Sequence, residues 1–131
     1  MADLSRDFRF RKEEHLRRPA DFRRVYERRC AASDAWLLVQ ACPNCLAFSR
    51  LGLSVSRKYG GAVARNRLRR LYREAFRLSK HDLPKGLDLV LIPRSPNEPA
   101  LEALKQSLKV LVSQVARRLA RQEKPSCSAP E

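Results

Sequence analysis

The sequence predicts an α+β fold, one small sheet carrying helices in the order α-β-β-(β)-α-β-α. Three observations support this. Two stretches with strand patterning, Trp36 to Ala41 and Ser49 to Ser56, follow a short helical segment. An arginine-rich stretch of helical period separates them from a third strand, Leu87 to Ile92. Leucines and valines spaced three or four apart, from Leu101 to Leu119, then close the pattern with a long amphipathic helix.

Taken in order, residues up to Arg18 read as a mobile basic arm, residues 19–122 as a single domain and residues 123–131 as a disordered tail. Pro19 suits an early position of a helix reaching about Arg29, with Phe22, Val25 and Tyr26 on its apolar face. WLLVQA is the first strand. In SRLGLSVS, Leu51, Leu53 and Val55 alternate onto one face. The loop between them holds Cys-Pro-Asn-Cys and has room for an extra strand. Tyr59-Gly60-Gly61 breaks the extended pattern, and helical periodicity runs from about Ala62 to Leu78. Leu83-Pro84-Lys85-Gly86 is a turn, and LDLVLI reads as a buried strand closed by Pro93. Ser95-Pro96-Asn97-Glu98-Pro99 supplies the start of the last helix. If the strands flanking the arginine helix are parallel, that helix is a crossover, and its handedness becomes a question.

The 131 residues suffice for one core. Hydrophobic residues make up 44% of the chain, yet Lys+Arg outnumber Asp+Glu by 28 to 14, a net charge of +14. Such an excess repels itself in the compact state and points to an anionic partner, nucleic acid or a membrane surface. The N-terminal residues lack the apolar core of a secretory signal, and no stretch approaches the roughly 20 apolar residues of a membrane span, so a cytoplasmic protein is expected. The four cysteines, Cys30, Cys42, Cys45 and Cys127, then read as reduced thiols. Cys42-Pro43-Asn44-Cys45 lacks the second ligand pair of a zinc site and the strand-to-helix setting of a redox motif.

ARNRLRRLYREAFRL, Ala64 to Leu78, holds six arginines and one acid, Glu74. At 100° per residue, Ala64, Leu68, Leu71, Ala75 and Leu78 form one stripe, with Tyr72 at its edge. Arg65, Asn66, Arg69, Arg70, Arg73 and Arg77 take the opposite arc, and Arg67 flanks the stripe. An ordinary solvated face alternates sign to form pairs four residues apart. Here Glu74 can serve Arg70 or Arg77 and little else. From Arg50 to Lys80 there are ten Lys/Arg and one Asp/Glu, and arginine suits bidentate phosphate contacts and base stacking. Phe22 and Tyr26, four apart on the first helix, suit either core packing or base stacking beside a cationic track.

RLGLSVSRKYGGAVARNRLRRLYREAF, Arg50 to Phe76, closely resembles the signature region of the bacterial ribonuclease P protein family. Arg65-Asn66-Arg67 sits in its expected frame, after a G-L-S-V-S strand, a basic pair and a glycine turn. PADFRRVYERR, LDLVLIPR and the final helix extend the likeness from about Leu16 to Arg121. The resemblance implies the small subunit of a ribonucleoprotein endonuclease that removes the 5′ leader of precursor tRNA. It also implies that the RNA subunit performs the hydrolysis with Mg²⁺, so that the protein supplies no catalytic residue. The implied partners are the catalytic RNA, in a 1:1 complex, and precursor tRNA. The implied fold is that of the second domain of ribosomal protein S5, with a left-handed βαβ crossover. Arg57, Lys58, Arg65, Asn66, Arg67, Arg69, Arg70 and Arg73 would contact RNA. Phe22 and Tyr26 would line a cleft for the single-stranded leader. The first strand of the family carries a leader-contacting aromatic where this sequence has Val39, with Trp36 nearby.

A nuclease working by itself would need acid/base groups or a carboxylate cluster. The two histidines here are far apart in sequence, and Glu13-Glu14 is the only adjacent acidic pair. A ribosomal or RNA-chaperone protein is the other class that the basic α+β pattern allows. A major-groove DNA reader fits less well, because its recognition helix needs base-reading polar residues rather than mostly arginine.

Overall fold

A computed structural model describes residues 12–94 and 99–122. Pro19, whose fixed φ suits a first helical turn, opens helix α1 (Pro19–Arg28) after an extended Arg18. Arg29 ends it in the left-handed region at φ 59°, donating its N–H to the Tyr26 carbonyl. Strand β1 (Ala31–Ser33) follows at once, and the Asp34 carboxylate accepts the Trp36 and Leu37 N–H groups at 2.8 and 3.1 Å to turn the chain into β2 (Leu37–Pro43). The extra strand therefore lies before β2 and not in the loop after it. Ala-Ala-Ser is too short and too weakly patterned to have announced it.

Strand β3 (Arg50–Leu53), helix α2 (Ala62–Ser79), strand β4 (Leu87–Pro93) and helix α3 (Leu101–Gln122) complete the order. The sheet runs β1-β2-β4-β3; β2 is antiparallel to β1 and β4, and β3 is parallel to β4. Parallel strands cannot be joined by a tight turn, so α2 is the crossover between them.

Alternation along the strands assigns the two sheet faces. Leu37, Val39 and Ala41 of β2 and Leu89 and Leu91 of β4 belong to the main core, under α2 and α3. α3 seals that core with Leu104, Leu108, Leu111, Val112, Val115 and Leu119. Cys42 and Val90 face the other way and pack with Val25 of α1 and with Leu16 in a smaller cluster, flanked by Phe22 and Ile92.

The expected free arm does not reach Arg18. Lys12–Glu14 form a 3-10 turn, His15 bridges Leu51 in parallel, and the Leu16 N–H donates to the Leu51 carbonyl at 2.9 Å. Buried Glu14 accepts Lys80 Nζ at 2.9 and 3.0 Å. The arm before Lys12, the helix-start residues 95–98 and the tail 123–131 lie outside the described residues.

Cys42 and Pro43 belong to β2, so the turn is made by Asn44, whose Oδ1 accepts the Leu46 N–H at 2.8 Å. Cys30 and Cys42 are buried free thiols, whereas Cys45 is disulfide-bonded, which corrects the reduced reading at that position. With Cys42 free, the two cysteines of the C-x-x-C are not a redox pair.

Candidate nucleic-acid interface

Beyond its first turn, α2 is held by Leu68, Tyr72, Ala75, Phe76 and Ser79, all buried. The buried stripe is turned toward Tyr72 and Phe76 compared with the one read from the sequence. Ala64 is exposed, and Leu71 and Leu78 are half-buried. The reason is area: two aromatic rings bury more surface than the small residues on which the stripe was centred. The Tyr72 hydroxyl also donates to the Trp36 carbonyl at 3.4 Å.

The first turn of α2 projects into solvent. Gly60 has φ 123°, a region open mainly to glycine, and Gly61 is an N-cap residue with no side-chain cap. Ala62, Val63 and Ala64 are exposed, Val63 to 81%. No acid lies in this turn, so its N–H groups are open to an anion. Arg57 and Lys58 sit beyond β3, in a 3-10 turn capped by Ser56, whose hydroxyl accepts the Lys58 N–H at 3.2 Å. Lys58 Nζ lies 5.3 Å from the centre of the Tyr59 ring, and the Tyr59 hydroxyl anchors that turn to the Pro93 carbonyl at 2.8 Å. Arg65 Nε donates to the Gly60 carbonyl at 3.2 Å, and Arg67 is exposed.

The predicted residues thus divide into two groups. Arg57, Lys58, Arg65 and Arg67 surround the start of α2, whereas Arg69 and Arg73 reach a cleft of about 150 Å³ on the α1 side of β3. Asn66 belongs to the second group through Arg69, accepting its Nη1 at 2.8 Å. Arg70 is exposed beside Arg73 on the outer face.

Phe22 lines the cleft with Leu16, Leu51, Gly52 and Leu53. A Cβ at Gly52 would stand 2.6 Å from Phe22 Cζ and 3.1 Å from Leu16 Cβ, so the absence of a side chain there lets the ring rest on the strand. Tyr26, 39% exposed, lies 6.4 Å from Phe22 between ring centres at 47°. Phe22 is therefore both core and cleft wall, and Tyr26 flanks it at the surface.

Val39 is not a cleft residue: it is fully buried in the main core on the opposite sheet face, and Trp36 packs against that same core. Register pairs Leu38 with Ile92 and Gln40 with Val90, so Leu38 and Gln40 join Cys42 as the β2 residues on the α1 side.

The sequence reading missed Asp88. It is fully buried in β4, where Arg50 donates Nε and Nη2 to its two oxygens at 2.8 and 2.7 Å. Asn44 Nδ2 donates at 2.9 Å, and Arg24 donates to the same carboxylate. The bonds to Asp88, the largest cause, raise the pKa of Arg50. An acid inside an otherwise apolar strand requires such partners, and that signal was present in LDLVLI. Arg24, Arg50 and Lys80 are thus internal partners. Arg77 pairs with Glu74 at 2.6 Å and holds that carboxyl below its ordinary value.

Residues 10–116 match the Ribonuclease P family. The chain belongs to the ribonuclease P protein component family. It is 48% identical over 88 residues to the ribonuclease P protein component of Methylococcus capsulatus, covering 66% of this chain and 68% of that protein. It is 37% identical over 105 residues to that of Clostridioides difficile, covering 79% and 92%. The solved ribonuclease P protein of Thermotoga maritima superposes with a TM-score of 0.67 at 32% identity, over 85% of this chain and 99% of that one. The Staphylococcus aureus protein gives 0.67 at 31% identity, over 79% and 95%. The chain is accordingly a component of an endoribonuclease of tRNA processing. No helix among the described residues is long and apolar enough to cross a membrane.

Proposed function

We propose that the chain is the RNA-binding subunit of ribonuclease P, working in the cytoplasm as one protein on one catalytic RNA. The start of α2, with Arg57, Lys58, Arg65 and Arg67, docks on the catalytic RNA. The cleft holds the single-stranded 5′ leader of precursor tRNA, with Phe22 as a base platform, Tyr26 beside it, and Arg69 and Arg73 on the phosphates. One observation carries the reading: an aromatic ring seated on a glycine strand opens directly onto two arginines of the signature helix. Stacking faces beside a cationic track are what single-stranded RNA requires.

Among the described residues no three His, Cys, Asp or Glu side chains converge where a metal could sit. No step of the reaction is assigned to a metal held by the protein. The hydrolysis belongs to the RNA subunit and its Mg²⁺. The chain binds the leader and lowers the repulsion between substrate and RNA.

Adding the chain to the RNA subunit and precursor tRNA at low Mg²⁺ tests this. Faster 5′ cleavage is the expected result. No stimulation would overturn the assignment, and cleavage by the protein alone would overturn the division of labour.

A further inference from the structure

We infer that His15 is a ligand for an RNA phosphate, at the point where a strand leaving the cleft crosses to the arginine face of α2. The inference rests on the leader-cleft reading above and names a contact that reading does not contain.

The geometry is that of a junction. His15 borders the cleft that contains Phe22, Gly52, Arg69 and Arg73. It borders a second, open hollow against the outer face of α2, with Arg70, Arg73, Glu74 and Arg77. A third hollow, on the other side of its own segment, adds Lys12, Arg17, Arg18 and Arg50 beside Glu13 and Asp21. His15 is the one side chain common to all three. Its backbone is held by the bridge to Leu51 and by the Leu16 bond, so the imidazole stands on a fixed segment.

The surroundings favour an anion. Of the acids that face this junction, Glu14 is paired with Lys80, Glu74 with Arg77, and Asp21 with Arg24 and Arg50. Glu13 is exposed on the rim. Burial first, then Arg17 and Arg73, push the His15 pKa below its ordinary value, with Glu14 opposing them. Without RNA the imidazole is therefore mainly neutral at pH 7. A phosphate arriving beside Arg73 offsets that repulsion and favours the imidazolium, which can donate to it. The bound pKa then exceeds the free one, so binding takes up a proton. Affinity rises as pH falls through the bound value and levels off below the free value. A histidine that served only to pack the segment would take up no proton when RNA binds.

The test is calorimetric titration of the full-length chain with a short single-stranded ribo-oligonucleotide, and with an abasic strand of equal length, in buffers of different ionisation enthalpy. Near pH 7 both strands should bind with net uptake of protons. Affinity should be about fivefold tighter at about pH 6 than at about pH 7.5. His15→Gln, checked for folding by circular dichroism, should abolish both effects. His81→Gln removes the only other imidazole and should keep them. Unchanged proton uptake in His15→Gln overturns the inference. Uptake with the native strand but none with the abasic strand assigns the contact to a base and overturns the phosphate. A wild-type chain that binds neither strand at any pH overturns the cleft reading itself and the inference with it.

Discussion

Gly52 and Phe22 decide what the cleft can hold. A methyl group at Gly52 would overlap the far edge of the Phe22 ring, which can swing aside, and would press on Leu16, which cannot move so easily. Gly52→Ala should therefore cost about 1 to 3 kcal/mol in stability and also weaken leader binding, because the ring leaves its seat. Adding Phe22→Leu to that variant should recover stability and leave binding weak. Denaturant unfolding and a leader-binding titration on the same samples check both. Recovery of binding in the double variant would mean that Phe22 is core alone. Asp88 shows the same economy of position: one buried carboxylate fixes Arg50, Arg24 and Asn44 and so ties β3, α1 and the turn after β2 together.

In the proposed function, helix α2 separates two tasks along one element. Its first turn stands clear of the sheet with uncapped N–H groups, and its middle turns Arg69 and Arg73 into the cleft. Arg69→Gln and Arg73→Gln should each lower the slope of log affinity against log salt by about 0.7 for a single-stranded leader. Arg67→Gln should leave that slope alone and weaken binding to the catalytic RNA. Titrations at several salt concentrations measure this, and equal slopes for all three variants would remove the strand from the cleft. Much of this element was legible in the sequence: its bounds, its single acid and the choice of Arg70 or Arg77 as partner of that acid, which the fold settles as Arg77. The turning of its buried face toward Phe76 was not, because a helical wheel weighs positions equally while packing follows side-chain area.

Across the whole molecule the net charge of +14 sets a strain that the fold relieves only in part. The buried pairs Asp88 with Arg50 and Glu14 with Lys80 are shielded from solvent ions, whereas the open arginines repel one another through solvent. Raising salt from about 20 to about 200 mM should therefore raise the melting temperature, by at least about 2 °C. Thermal scans measure it, and a fall would show that exposed ion pairs dominate. The sequence by itself determined the order of the main elements, the arginine face, the Phe22 and Tyr26 pair and the family. Each of these is carried by periodicity, charge or a contiguous motif. Tertiary structure alone decided that residues 12–16 dock beside β3, that Val39 faces away from the cleft, and that Asp88 and His15 each gather partners distant in the chain. A single register step reverses which face a strand residue shows, and partners brought together by sheet pairing leave no local pattern to read.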